Sequence, residues 1–159
     1  MSVDGVTKRY EITAVWNVLN DIISSNIIDP LTGEQARATT SDWIRNGVPN
    51  PAKLGQVGGF KFPIIVLRQT EIEDKNVVVD ASKDMITHTV SIECHAVTRL
   101  QAAQLSEEIR YILKVTGQSE LRKAALYGPD VLGSSEDTDF IGANKYYVKT
   151  LDYQFMRMD

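Results

Sequence analysis

The segment Met85 to Val97 constrains this chain more than any other, because it alternates along its length. Ile86, Val90, Ile92, Cys94 and Ala96 are interleaved with Thr87, Thr89, Ser91, Glu93 and His95. A period of two puts the first set on one side of a strand and the second on the other, so the segment predicts a half-buried strand of an antiparallel sheet. At about 3.3 Å per residue it would reach about 43 Å, where strands usually run to five or six residues. A strand that long overhangs a lone small domain.

The surroundings predict an α+β architecture. Ile12, Val15, Trp16, Leu19, Ile22 and Ile23 recur at spacings of three and four, which gives an amphipathic helix over Tyr10 to Ser25. Phe62 and Ile64 to Leu67 read as a buried strand, Lys75 to Asp80 as a second short one, and Lys145 to Met158 as the last. Thr98 followed by Gln101 is a capping box for a helix with Leu100, Ala102, Leu105, Ile109, Ile112 and Leu113 inward and Gly117 at its end. Ser119 opens a shorter helix that Gly128-Pro129 stops, and Pro129 to Gly142 reads as an acidic loop. Three consecutive strands form a meander, and the last strand crosses the helices to reach an edge. The expectation is a mainly antiparallel four-stranded sheet with helices packed on one face, in a single domain spanning 1–159.

Between the first helix and the first strand the periodicity vanishes. Residues 26–61 hold DPLTGE and NGVPNP, where Pro fixes φ and Gly supplies positive φ, with a short helix expected near Thr40 to Asn46. A connection this long is uncommon in a compact domain, where loops rarely exceed about 12–15 residues. Trp43, Ile44, Val48, Leu54 and Phe60 set it apart from a low-complexity linker. The expectation is an extended arm that orders against a partner.

Composition then removes function classes. The 159 residues carry 17 Lys+Arg against 21 Asp+Glu, a net charge of −4, which argues against nucleic-acid binding by bulk charge. One Cys makes no internal disulfide, and with two His it is too little for a zinc finger. No apolar run approaches the length of a membrane span, and MSVDGVTKRYEITAV lacks an apolar core, so neither secretion nor membrane spanning is expected.

No constellation assembles a catalytic site. His88 and Cys94 share a face but lie about 20 Å apart along a strand, too far for one metal. Glu107 and Glu108 read as solvated helix charges, and Glu71, Glu73 and Asp74 as charges in a connection between strands. GQVGGF precedes a strand and lacks the Lys-Ser/Thr of a phosphate loop. The chain is therefore not expected to be an enzyme, and no cofactor is implied. Trp43 and Arg45 are residue types enriched at binding hot spots, and two readings stand: an interface, or packing of the arm onto its own domain. Phe60, Phe62, Tyr147 and Tyr153 are further interface candidates. The loop acids are either a solvated turn or a charged lining.

The layout resembles the tail terminator and head-tail joining proteins of long-tailed viruses. The resemblance is carried by AVWNVLNDII, PIIVLRQTEIE leading into a hairpin, MITHTVSIECHAV, LQAAQLSEEIRYIL with a short second helix, and YYVKTLDYQF. It implies a virion structural protein at the head-tail junction, assembled in the host cytoplasm. That protein would be a homo-oligomeric ring, with six copies as the expected number, that caps the tail tube and docks the head connector protein. DNA would pass through without specific binding. Glu136, Asp137 and Asp139, or Glu71, Glu73 and Asp74, are then the candidate lumen-lining residues. A head-completion or stopper protein, or a minor tail protein, is the alternative at the same junction. A small α+β ligand-binding or enzymatic domain is the distant one.

Overall fold

The computed structural model describes residues 11–37, 43–47, 49–55, 60–76 and 84–158. Helix α1 (Glu11–Asn26) is followed by the arm, which contains 3-10 turns at Gly33–Gln35 and Pro51–Lys53 and a two-residue strand, β1 (Ile44–Arg45). Strands β2 (Ile64–Asn76) and β3 (Asp84–Ala96) come next, then helices α2 (Arg99–Tyr111) and α3 (Gln118–Lys123). Strands β4 (Leu126–Ile141) and β5 (Asn144–Met158) close the order.

The strands make one five-stranded sheet in the order β1-β2-β3-β5-β4. β1 runs parallel to β2, and all other pairs are antiparallel. This corrects the expected four-stranded, mainly antiparallel sheet to a five-stranded mixed one. The first source of the error is the expected loop over residues 129–142, of which residues 129–141 belong to the 16-residue edge strand β4. Most of its side chains are exposed, so it carries no apolar period, and it is held by pairing to β5. The second source is Ile44–Arg45, expected as helix, which pairs with Ile65 and Val66 of β2. Two further corrections follow from the register. β2 is a single strand through Asn76, so Glu71, Glu73 and Asp74 lie in a strand and not in a connection, while 77–80 fall outside the described residues. The last strand is interior, between β3 and β4, because the chain leaves the helices into β4 and returns through a hairpin.

The β3 alternation builds the core. Val90, Ile92 and Cys94 are buried opposite Tyr153, Leu151 and Lys149 of β5, and Leu105 and Ile109 of α2 join the same cluster. Thr98 caps α2, its hydroxyl accepting from Gln101 N at 3.2 Å. Leu100, expected on the inward stripe, is 68% exposed, because the buried face starts at Ala102. After Tyr111 the helix widens into a π turn (Ile112–Thr116) that buries Ile112 and Leu113. Gly117 then passes beneath α1, where a Cβ would lie 2.4 Å from Ile22 Cγ2 and 3.0 Å from Ile112 O. Gly117→Ala should therefore destabilise by about 1–3 kcal/mol through overpacking. Chemical denaturation checks this, and Ile22→Ala in the same chain should make the added Cβ cost less.

The described parts of the arm fold back onto this body. Trp43, Ile44 and Phe60 belong to the main apolar cluster. Ile64, Ile65, Val66 and Leu67 are all 0% exposed, so the start of β2 is buried on both faces. Arg37 holds the arm's ends together: its Nε donates to Asp29 Oδ2 at 2.8 Å, and its terminal nitrogens donate to the carbonyls of Lys61 and Pro63. The guanidinium also lies 5.2 Å from the Trp43 ring centre. Its side chain is 5% exposed, and burial draws its pKa below the usual arginine value. Arg37→Met should cost about 3–5 kcal/mol, because Asp29 is left as an unpaired, poorly solvated charge. Urea unfolding gives the magnitude, and limited proteolysis should show new cleavage confined to the arm.

Candidate functional site

The register sorts the chain's charges between the two faces of the sheet. On the helix-covered face, β3 presents Ile86, His88, Val90, Ile92, Cys94 and Ala96, and β5 presents Leu151, Tyr153 and Phe155. The opposite face takes the alternate positions. There Ser91 stands opposite Asp152, Glu93 opposite Thr150, and His95 opposite Val148. β4 adds Asp130 opposite Gln154, Asp137 opposite Val148 and Asp139 opposite Tyr146. β2 adds Arg68 opposite Ser91 and, by backbone register, Glu71 opposite Thr89, Glu73 opposite Thr87 and Lys75 opposite Met85. Across β2 to β5 this face therefore carries seven acidic positions against two Lys or Arg. The excess of acid over base in the whole chain, net −4, is concentrated here.

Hydrogen bonds fix part of this surface. Glu93 is the hub: its Oε1 lies 2.9 Å from His95 Nε2, and its Oε2 accepts from Arg68 Nε at 3.1 Å. The bond to His95, aided by the Arg68 charge, holds the Glu93 carboxyl below the usual glutamate value. Ser91 Oγ donates to Asp152 Oδ1 at 2.5 Å, tying β3 to β5. Tyr146 donates to Asp139 Oδ2 at 3.1 Å, and its own pKa is raised by burial and by that acceptor. The arm reaches the same face, since Phe62 stacks on Tyr146 at 4.8 Å between ring centres and His95 stacks on it at 5.8 Å.

The six lining candidates do not form one set. Asp137 and Asp139, with the register positions of Glu71 and Glu73, share the uncovered face. Glu136 and Asp74 occupy the other, opposite Lys149 and Ile86. Glu136 Oε2 accepts from Arg99 Nε at 3.1 Å and from Arg99 Nη2 at 2.6 Å, and its Oε1 accepts from Lys149 Nζ at 3.4 Å. These three line a cleft of about 180 Å³ with Ala102, Thr138 and Tyr147. That is smaller than the roughly 300–1,000 Å³ of ordinary ligand pockets, and its Glu136 carboxylate is already held by both cations.

Of the interface candidates, Trp43, Phe60 and Tyr153 are buried in the chain's own core. Arg45 sits over the Phe60 ring at 5.9 Å, Phe62 lies within the aromatic stack, and Tyr147 is half-buried with Lys145 Nζ 5.3 Å from its ring centre. Sequence reasoning passed over Asp130, Asp152 and the Glu93 hub. Glu93 and Asp152 had a visible signal, their polar places in the alternation of β3 and β5, and Asp130 had none.

The familiar catalytic groups are poorly placed for chemistry. Burial pushes the Cys94 thiol up to about 12, so it is not a thiolate near neutral pH. Among the described residues no group of three His, Cys, Asp or Glu is placed to hold a metal ion, and no helix is long and apolar enough to cross a membrane. No family model matches the chain, and no curated protein matches its sequence.

The Glu93 network has a pH signature. A carboxyl with a lowered folded pKa contributes stability that is fully present above the unfolded value, here the ordinary 4.5, and is lost as pH falls through the folded value. Glu93→Gln should therefore destabilise at pH 7, and the gap to the unaltered chain should narrow as pH drops below about 4.5. Urea denaturation of both proteins across that range checks the sign.

Proposed function

We propose that this chain is a virion structural protein, a tail terminator whose copies close into a ring that caps the tail tube and joins tail to head. The observation that carries the reading is the pairing of a carboxylate-rich face, opposite the helices, with strands of 13 to 16 residues. Such strands build a tall wall from a small subunit. A wall whose inner surface is acidic repels DNA in transit, so DNA slides through without adhering. Helices α1 and α2 then lie on the outside. The lining on this reading is Asp137, Asp139, Asp130 and Asp152 with the positions of Glu71 and Glu73, while Glu93 is taken up by Arg68 and His95 and Glu136 by its salt bridges on the other face. The work is assembly and not catalysis, and its partners are further copies of the chain, the tail tube protein and the head connector protein. In that role the protein resides at the head-tail junction of the virion.

Size-exclusion chromatography with light scattering, with and without tail tubes, tests the proposal. A closed ring, free or on the tube end, is expected, with six copies as the number implied by the resemblance. Deleting the gene should give overlong tails. A strict monomer that ignores tail tubes, or DNA-leaking heads beside tails of normal length, would overturn the terminator assignment.

A further inference from the structure

The sheet has two open edges, and they differ. On one side β4 has no outer partner along its 16 residues among the described residues. Bulges interrupt it between Tyr127 and Asp130 and between Val131 and Gly133, which leaves Ser134–Ile141 as its regular stretch. Leu132 and Phe140 on this strand are 56% and 60% exposed. On the other side β1 covers only Ile65 and Val66, so β2 from Leu67 to Asn76 has no outer strand among the described residues. Unpaired backbone along a strand edge is a template for another strand.

We infer that the open edge of β4 in one copy pairs with the Leu67–Asn76 edge of β2 in the next copy, so that the sheet runs unbroken from subunit to subunit. This rests on the ring reading above and names its interface. Direction supports it: β4 runs opposite to β2, and rotation about an axis along the strands preserves direction, so the new pair is antiparallel. Charge selects the partner. A two-fold pairing of β4 with β4 sets four carboxylates, Asp130, Glu136, Asp137 and Asp139, against the same four with no cation in either strand. Residues Leu67–Asn76 instead carry Lys75 and the Glu93-bound Arg68 against Glu71, Glu73 and Asp74, a net of −1. Like charges across a strand pair destabilise it, so the head-to-tail contact wins over the two-fold one, and repeated head-to-tail contacts close rings.

Disulfide trapping tests the inference. In a Cys94→Ala chain, Ser135→Cys on β4 is mixed with chains carrying Arg68→Cys, Glu71→Cys or Glu73→Cys on β2, all on the uncovered face, and oxidised in the presence of tail tubes. At least one mixture should yield a cross-linked heterodimer. The double variant at that pair should give a covalent ladder ending in a closed ring. Ser135→Cys cross-linking mainly to itself would overturn the inference in favour of a two-fold contact. An intact ring by light scattering with no β4–β2 cross-link in any mixture would overturn the interface and leave the ring reading standing. No oligomer of the unaltered chain under any condition would overturn both.

Discussion

Strand β3 sets the rest of the molecule in place. It is paired along almost its whole length on both sides, with β2 and with β5, and its register against β5 runs unbroken from Met85 to Ala96. A slip of one residue against β5 would turn Val90, Ile92 and Cys94 out to water and bring Glu93 and His95 under α2. The apolar cluster beneath the helices and the carboxylates on the opposite face are thus two consequences of one pairing. Burial of aliphatic side chains drives it, and the charge pattern follows because the polar residues occupy the remaining positions.

A second constraint acts on the arm. A segment rich in Pro and Gly has little regular backbone bonding to hold it, so its order depends on a few side chains. Trp43 and Phe60 supply apolar contact, and Arg37 supplies direction by joining Asp29 at one end to the carbonyls of Lys61 and Pro63 at the other. A planar guanidinium with five donors suits this task, and a lysine does not. The arm is thereby fastened to its own body at the corner where β1 meets β2.

Much of this was legible in the sequence. The alternation in β3 and β5 gave the right faces, and the periodicity of α1 and α2 gave the helices, because each segment buries one side against the core. β4 was illegible for the opposite reason. It is an edge strand with little burial, carries Gly128 and Pro129 near its start, and continues through Gly133-Ser-Ser and acids, all of which read locally as turn. Its strand character comes from pairing with β5, a tertiary effect that local propensity does not contain. The two-residue β1 and the Arg37 clamp were hidden similarly, since both act across long separations in sequence. The acidic face was legible only in part. Glu93 could be assigned from its own strand, but Asp130, Asp137 and Asp139 could be added only once β4 was known to be a strand.

On the proposed ring reading, the carboxylate face points into the channel. Electron cryomicroscopy of the ring on a tail tube measures this directly. The prediction is a continuous wall of strands around the channel, with Asp130, Asp137, Asp139 and Asp152 toward the lumen and α1 and α2 outside. A ring whose helices line the channel and whose carboxylate face meets solvent or a neighbouring protein would contradict it.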